Sequence, residues 1–194
     1  MEIGRGVGLM MTRLAIILAL IVTVQAEGLP RFAFQNYDDQ LVTNQSLIGK
    51  VTVVVPTYAK CVFACPMITS RLIELDGKLQ SPETIQYLHV SIQPEEDTTE
   101  EILSHFSDHA IDANQDPRWL FVNGPKKQIR SFLAEIGIEI TRTSVDQGVL
   151  IEHTTRVYVV DQQGAIAAVF ETYFWDDQEM TNVLQRLSVK NRTS

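Results

Sequence analysis

Residues 49–66 read GKVTVVVPTYAKCVFACP. The run from Val51 to Val55 is β-branched throughout, which predicts a strand buried on both faces, inside a parallel region of a sheet. Cys61 and Cys65 follow this run and are the only cysteines among the 194 residues. The stretch therefore predicts a central strand that leads directly into a cysteine pair, and this order decides both the fold and the chemistry.

The residues after the first cysteine predict a helix. Apolar side chains recur at helical spacing from Cys65 through Leu75, so a helix is expected to run to about Leu79, with Cys65 on its inward face. Cys61 then lies at or before the helix start, where the helix dipole and the free N–H groups lower the pKa of a thiol. Lys60 is expected to act in the same direction, which makes Cys61 the expected thiolate.

The rest of the chain alternates between strand and helix patterns. A short hairpin is expected near the N-terminus, followed after the cysteine helix by a strand, two helices, a second hairpin and a closing helix. These elements are predicted at residues 30–40, at 85–92, after a capping pair formed by Asp97 and Glu100, from Pro125 to Gly137, at 157–160 with 165–170, and around 180–187. The order is that of a thioredoxin-like α/β domain, with a mixed central sheet flanked by helices and an N-terminal hairpin extension.

The first residues of the chain have the pattern of an export signal. Arg5 and Arg13 precede an apolar stretch over residues 14–24, and a small residue follows at a suitable distance. This pattern predicts a signal peptide over residues 1–26, with an uncleaved N-terminal anchor as the alternative, and a thioredoxin-like domain over residues 27–194. The protein is therefore expected to be exported, either periplasmic or membrane-anchored and facing the periplasm. Because no cysteine stands near the cleavage site, a lipid-attached form has no acceptor.

The charge of the chain excludes some classes of partner. Its 16 basic and 24 acidic residues give a net charge of −8, and removal of residues 1–26 leaves 14 basic and 23 acidic residues, a net charge of −9. A domain of this charge repels nucleic acid and anionic membrane surfaces. No nucleic acid is therefore expected as a partner, and a membrane only through the N-terminal anchor. Cationic partners, metal ions among them, suit the domain better.

Export also gives the cysteine pair a redox role, because two neighbouring thiols outside the cytosol normally become a disulfide. A bridge between Cys61 and Cys65 closes so short a loop that it removes little chain entropy, which argues against a purely structural staple. With three residues between them, the two sulfur atoms lie one helical turn apart and can close on each other or on a metal ion.

His153 is the third candidate site residue. In a thioredoxin-like fold, the segment before the strand at 157–160 faces the cysteine pair, and thioredoxins carry a cis-proline there. Residues 152–156 read EHTTR, so this substrate-clamping proline is missing and an imidazole lies close to its place. Two thiolates and one imidazole are ligands that select copper, and Cys61, Cys65 and His153 are therefore the expected metal ligands.

With these residues, the chain resembles the Sco/SenC family of copper chaperones. The matching residues are Cys61 and Cys65 with Pro66, the run HTTRVYVVD from His153 with the flanking Gly164, and the supporting stretches VSIQPEEDT at 90–98 and WLFVNG at 119–124. The resemblance spans residues 30–187. It implies a thioredoxin-fold protein that assists assembly of the binuclear copper centre of cytochrome c oxidase, and so a metallochaperone rather than an enzyme.

The same resemblance implies a cargo and a partner. The metal is expected to be copper, as Cu(I), Cu(II) or both, and the partner a copper-receiving oxidase subunit or another copper chaperone. The sequence departs from the usual pattern of the family in two places. Its members often carry proline and an acidic residue between the cysteines, where this chain has Val62-Phe63-Ala64, and many have an acidic residue in place of Gln93. Both differences remove negative charge near the expected site and leave the three expected ligands unchanged.

Three alternative functions make different demands on these residues. A thiol-disulfide reductase that keeps oxidase cysteines reduced needs Cys61 as nucleophile and Cys65 as resolving thiol, but it does not need His153. A peroxidase requires a threonine three residues before the reactive cysteine, where this chain has Tyr58. A binding module with a structural disulfide predicts neither metal binding nor redox activity.

The remaining candidate residues have a structural explanation. His105 and His109 are spaced to share one face of a helix, and this face is expected to be solvated rather than to bind a metal. His89 falls within a predicted strand, where packing is expected. The aromatic run at 173–175 is expected to belong to the core, with a docking patch as the alternative.

Overall fold

The computed structural model describes residues 27–146, 148–171 and 173–189. The predicted signal peptide at residues 1–26 lies outside this part of the chain. Within the described residues, no helix is both long enough and apolar enough to span a bilayer.

Strands and helices alternate along the described chain. The strands are β1 Ala33–Asn36, β2 Leu41–Thr43, β3 Val51–Thr57, β4 Ile85–Ser91, β5 Trp119–Asn123, β6 Ile140–Val145, β7 Gly148–His153, β8 Val157–Val160 and β9 Ile166–Phe170. The helices are α1 Asn44–Leu47, α2 Ala64–Asp76, α3 Thr99–Asp108, α4 Lys126–Glu135 and α5 Asp177–Val189.

A mixed sheet of seven strands forms the centre, in the order β2-β1-β5-β4-β3-β8-β9. Strands β3, β4 and β5 run parallel to one another, whereas β8 is antiparallel to β3 and β1 is antiparallel to β5. This arrangement confirms the predicted thioredoxin-like α/β fold. The predicted N-terminal hairpin is formed by β1 and β2 and extends the sheet at one edge, while β6 and β7 pair separately as a second, two-stranded sheet.

The β-branched run from Val51 to Val55 lies in β3, inside this sheet. Every residue of β3 is buried. Because successive side chains point to opposite faces, Val53 and Val55 pack with Leu72 of α2 on one face, whereas Val54 packs with Leu133 of α4 on the other. Both faces of the sheet are therefore covered by helices, as the unbroken apolar run predicted.

Some details of the fold differ from the sequence predictions. Strand β5 and the β6–β7 hairpin were not predicted as elements. The predicted capping pair of Asp97 and Glu100 is wrong, because Thr98 caps α3 by accepting a hydrogen bond from the backbone N–H of Glu101 at 3.3 Å. Asp97 is buried and makes other contacts, which shape the functional site.

His89 lies within β4 and packs in the core, as predicted. Its ring stacks on Phe121 at 6.0 Å and meets Phe106 edge-on at 5.6 Å. Neither ring nitrogen has a hydrogen-bond partner among the described residues. Burial, reinforced by the neighbouring His105 and His109, holds the pKa of His89 well below its ordinary value. The imidazole is therefore neutral in the folded protein and leaves polar atoms unsatisfied in an apolar surrounding.

Replacement of His89 by leucine should therefore stabilise the protein. At pH 7 we expect the free energy of unfolding of His89→Leu to exceed that of wild type by about 1–3 kcal/mol, because an unsatisfied buried polar group is removed. The unfolded chain takes up a proton on His89 below about pH 6.5, and the folded chain does not. Stability that depends on this histidine is therefore lost as the pH falls, by about 1.4 kcal/mol per unit.

Urea unfolding between pH 5 and pH 7 measures both effects, at about the pH range where histidine titrates. The slope of stability against pH should be smaller in His89→Leu than in wild type, and Gln128→Leu, at an exposed residue of α4 that does not titrate, is the control. A loss of stability at pH 7, or an unchanged slope, would contradict the account of His89.

Candidate functional site

The site residues lie at one edge of the central sheet. Because β3, β4 and β5 are parallel, their carboxyl ends meet at the same edge, and the antiparallel β8 begins there. Cys61 follows β3, and His153 is separated from β8 only by residues 154–156. The crevice outside the carboxyl ends of the strands is where ligands bind in open α/β sheets.

Cys61 caps the helix that carries Cys65. Helix α2 begins at Ala64, and the residue in the capping position, Phe63, makes no side-chain cap. The Cys61 sulfur instead accepts a hydrogen bond from the backbone N–H of Cys65 at 3.4 Å. Pro66, the next residue, has no N–H to satisfy. The sequence prediction that Cys61 lies before the helix start is confirmed, and both cysteines are free thiols.

The pKa values of the two thiols are shifted in opposite directions. A hydrogen bond from the Cys65 thiol is the largest cause that lowers the pKa of Cys61, to about 5, helped by the backbone N–H groups at the helix start and by the charge of His153. The shared hydrogen bond and burial raise the pKa of Cys65 well above its ordinary value, against a smaller opposing effect of the Thr57 hydroxyl. At neutral pH the pair is therefore a half-buried thiolate over a buried thiol.

Lys60 does not produce this acidity. Its ammonium group forms an ion pair with Glu101 at 3.1 Å, and both side chains are exposed. An exposed and already paired cation has little effect on its neighbours. The sequence prediction that Lys60 lowers the pKa of Cys61 is therefore wrong. The largest cause of the low pKa is the hydrogen bond from the Cys65 thiol.

His153 ends β7 and is half-buried. Its Nδ1 lies 2.9 Å from the carbonyl oxygen of Thr154. A carbonyl can only accept, so Nδ1 carries a proton, and in the neutral ring Nε2 keeps the lone pair that a metal ion would need. The structure places His153 near enough to Cys61 for its charge to favour the thiolate.

In the described residues, Cys61, Cys65 and His153 are not arranged as a complete set of metal ligands. Across the described parts of the chain, no three histidine, cysteine, aspartate or glutamate side chains are arranged to hold a metal ion. The two sulfur atoms share a hydrogen bond, and the imidazole of His153 does not complete a metal-binding group with them. A metal ion held by all three would require the His153 ring to move toward the pair.

Asp97 is a site residue that the sequence analysis missed. Its buried carboxylate accepts hydrogen bonds from the backbone N–H of Ala59 at 2.8 Å and from the hydroxyl of Ser91 at 2.5 Å. Burial raises its pKa to about 6. The side-chain amide of Asn123 in turn donates to the carbonyls of Pro94 and Asp97. The segments after β3 and β4 and the end of β5 are thus tied together next to Ala59, two residues before Cys61.

Gln93 connects the hairpin that carries His153 to the same cluster. The side-chain carbonyl of Gln93 accepts a hydrogen bond from the guanidinium of Arg142 in β6, and β6 pairs with β7, which ends at His153. Gln93 is fully buried, and its amide nitrogen has no partner among the described residues.

Two of the other histidines, His105 and His109, contact residues of helix α2. The Thr69 hydroxyl donates to the carbonyl of Cys65 at 3.0 Å and lies 3.4 Å from Nε2 of His105, while Nε2 of His109 lies 3.3 Å from the carbonyl of Pro66. The prediction of a solvated histidine face is wrong for His105, which is only 3% exposed. Burial lowers its pKa to about 4, so it stays neutral.

The thiol acidity can be tested directly. The rate of Cys61 alkylation by iodoacetamide should rise with a midpoint near pH 5 in wild type. In Cys65→Ala this midpoint should move up by about 1 unit or more, because the largest cause of the low pKa is removed. His153→Ala should cause a smaller rise. An unchanged midpoint in Cys65→Ala would contradict the assigned cause.

Comparison with known proteins adds evidence from outside the chain. The SCO1/SenC family pattern matches residues 23–188. A SCO1 protein homolog of Bacillus subtilis is 23% identical over 137 residues, which cover 70% of this chain and 69% of that protein.

Solved structures share the fold. The copper-bound structure of Bradyrhizobium japonicum ScoI has a TM-score of 0.68 at 22% identity, covering 84% of this chain and 99% of that one. BsSco, described with a disulfide switch as a member of the Sco family of cytochrome c oxidase assembly proteins, has a TM-score of 0.68 at 18% identity and covers 85% and 95%. Because the family pattern matches most of its length, the chain belongs to the SCO1/SenC family.

Proposed function

We propose that the protein is an exported copper-binding chaperone that delivers copper to, or matures, the copper centre of a respiratory oxidase such as cytochrome c oxidase. The observation that carries this proposal is the thiolate of Cys61 next to the thiol of Cys65, with His153 near enough for its charge to act on Cys61. The copper in Bradyrhizobium japonicum ScoI and the assembly role named for the family of BsSco support it.

The two sulfur atoms suit Cu(I) as cargo. Soft thiolate ligands select Cu(I), and Cys61 is already deprotonated near pH 7. Cys65 must lose its proton as the ion binds, so loading releases a proton and weakens as the pH falls. Because Cys61 is half-buried and Cys65 is buried, an incoming thiolate of a partner would displace Cys61 first.

Cu(II) makes different demands on the same residues. It prefers a tetragonal arrangement with nitrogen and oxygen donors in addition to sulfur. His153 would supply the nitrogen through Nε2, after a movement of its ring toward the two sulfur atoms. The oxidation state that depends on His153 is therefore Cu(II), whereas Cu(I) depends chiefly on the cysteines.

A thiol-disulfide reductase is the second candidate function, and the unequal pKa values of the two thiols favour it. The Cys61 thiolate would attack a partner disulfide and release one partner thiolate. Cys65 would then lose its proton and attack the Cys61 sulfur, which forms the Cys61–Cys65 disulfide and releases the second partner thiol. The same disulfide would block copper binding, so the redox state of the pair would gate the chaperone.

Location and partner follow from the N-terminal pattern and from the charge. We propose that residues 1–26 export the domain, either as a cleaved signal or as an anchor that leaves it facing the periplasm. The acidic domain, residues 27–194, would then meet a copper-receiving oxidase subunit or another copper chaperone there.

Copper titration of the reduced domain from Glu27 onward tests the proposal, with chelator competition to measure affinity. Wild type should bind one Cu(I) or one Cu(II) per chain. His153→Ala should weaken Cu(II) binding by about 100-fold or more and alter the thiolate-to-copper absorption band, because a ligand is lost. Cu(I) affinity should change by less than about tenfold, since both thiolates remain.

Glu152→Gln is the matched control, because it changes the preceding exposed residue of β7 and should leave both affinities unchanged. Equal Cu(II) affinity in His153→Ala and wild type would remove His153 from the site. If neither ion binds wild type while the cysteines still cycle between dithiol and disulfide, the chaperone proposal is wrong and the reductase takes its place.

A further inference from the structure

Four exposed or half-exposed apolar side chains form a patch that begins directly after Cys61. Val62 and Phe63 directly follow Cys61 and are 94% and 64% exposed. The ring of Phe63 meets Tyr173 edge-on at 6.2 Å, and Tyr173 contacts Phe174 at 4.3 Å. Val62, Phe63, Tyr173 and Phe174 are called the cysteine-flanking patch below.

The patch combines two segments that are far apart in the chain, and Arg71 of α2 fixes one to the other. Its guanidinium donates to the carbonyls of Tyr173 at 2.5 Å and Trp175 at 2.7 Å, and forms an ion pair with Asp177. It also lies 4.5 Å over the ring of Trp175, which is buried in the core as predicted, unlike Phe174. The patch is therefore held in place by the helix that carries Cys65.

A partner protein that docks on the Cys61 thiolate meets Val62 and Phe63, the part of the patch that directly follows Cys61 in the chain. Cys65 is buried on the inward face of α2, so Cys61 is the accessible sulfur, and Val62 is its direct and almost fully exposed neighbour. A contiguous exposed apolar area beside a reactive group marks an interaction site, and aromatic side chains commonly dominate the binding energy of such sites.

The charges around the patch restrict the partner. Lys60 is paired with Glu101 and Arg71 with Asp177, so both cations at the border are neutralised. Residues 58–63 and 173–179 contain one basic and three acidic residues. A second copy of this acidic chain, or an anionic membrane, would meet like charge there.

We propose that the cysteine-flanking patch binds a partner protein segment in which a cysteine is flanked by apolar side chains and bordered by lysine or arginine. This inference rests on the proposed function, because it names the chemistry of the partner that exchanges thiolates with Cys61. It concerns an interaction surface, so it can be tested without copper.

Synthetic peptides provide the test. Each peptide carries one cysteine as a mixed disulfide with thionitrobenzoate, flanked by leucine and lysine, by leucine and glutamate, or by serine and lysine. The Cys61 thiolate attacks the peptide sulfur and expels coloured thionitrobenzoate with the electron pair of the broken bond. Cys65 then loses its proton, attacks Cys61 and releases the peptide thiolate, so two electrons pass from the cysteine pair to the probe.

The second-order rate constant of thionitrobenzoate release is the measurement. The leucine–lysine peptide should react about tenfold faster than either other peptide, the size expected from one well-buried aromatic contact. Phe63→Ala and Phe174→Ala should each remove most of this preference. Val169→Ala, at a 43% exposed apolar residue of β9, is the matched control and should retain it.

The small symmetric disulfide of thionitrobenzoate measures the intrinsic reactivity of Cys61. The patch variants should react with it at the wild-type rate, and their Cu(I) affinity should be unchanged. Equal rates for the three peptides, or an equal loss toward the small disulfide, would overturn the inference. So would a dimer, or binding to phosphatidylglycerol vesicles, that Phe63→Ala abolishes. Failure of wild type to bind copper would instead count against the chaperone function and leave the peptide result standing.

Discussion

The buried carboxylate of Asp97 is the contact on which the geometry of the site depends. It holds the backbone N–H of Ala59, two residues before Cys61, against the segment that follows β4. That contact fixes where the chain turns into α2, and hence the position from which the Cys61 sulfur caps the backbone N–H of Cys65. A carboxylate accepts hydrogen bonds more strongly when it is ionised. The hydrogen bond from Ala59 to Asp97 is therefore strongest above the raised pKa of Asp97, about 6.

The same arrangement explains why the two cysteines differ although only three residues separate them. Cys61 lies on the open side of the helix start, where N–H groups face it, and Cys65 lies on the side that packs against the sheet. One position stabilises a thiolate and the other stabilises a thiol. The exposed insert between them adds an apolar contact surface next to the half-buried Cys61.

The sequence was sufficient for those parts of the fold that depend on local patterns. The β-branched run predicted β3, and helical spacing predicted α2 with Cys65 facing inward. The topology of a thioredoxin-like sheet then placed His153 at the same edge as the cysteines. Strand β6 escaped prediction because its residues 141–144 are all exposed and it is held by pairing with β7, not by an apolar face. Asp97 was misassigned because a local capping pattern concealed a partner 38 residues away.

The central claim is that Cys61 and Cys65 together hold copper at the start of α2, with His153 required for Cu(II). X-ray absorption at the copper edge tests this most directly, on wild-type protein loaded with one equivalent of Cu(I) and then of Cu(II). The account predicts two sulfur scatterers around Cu(I), and two sulfurs with an added imidazole pattern around Cu(II). A copper shell made only of nitrogen and oxygen, or one with a single sulfur in both states, would contradict it.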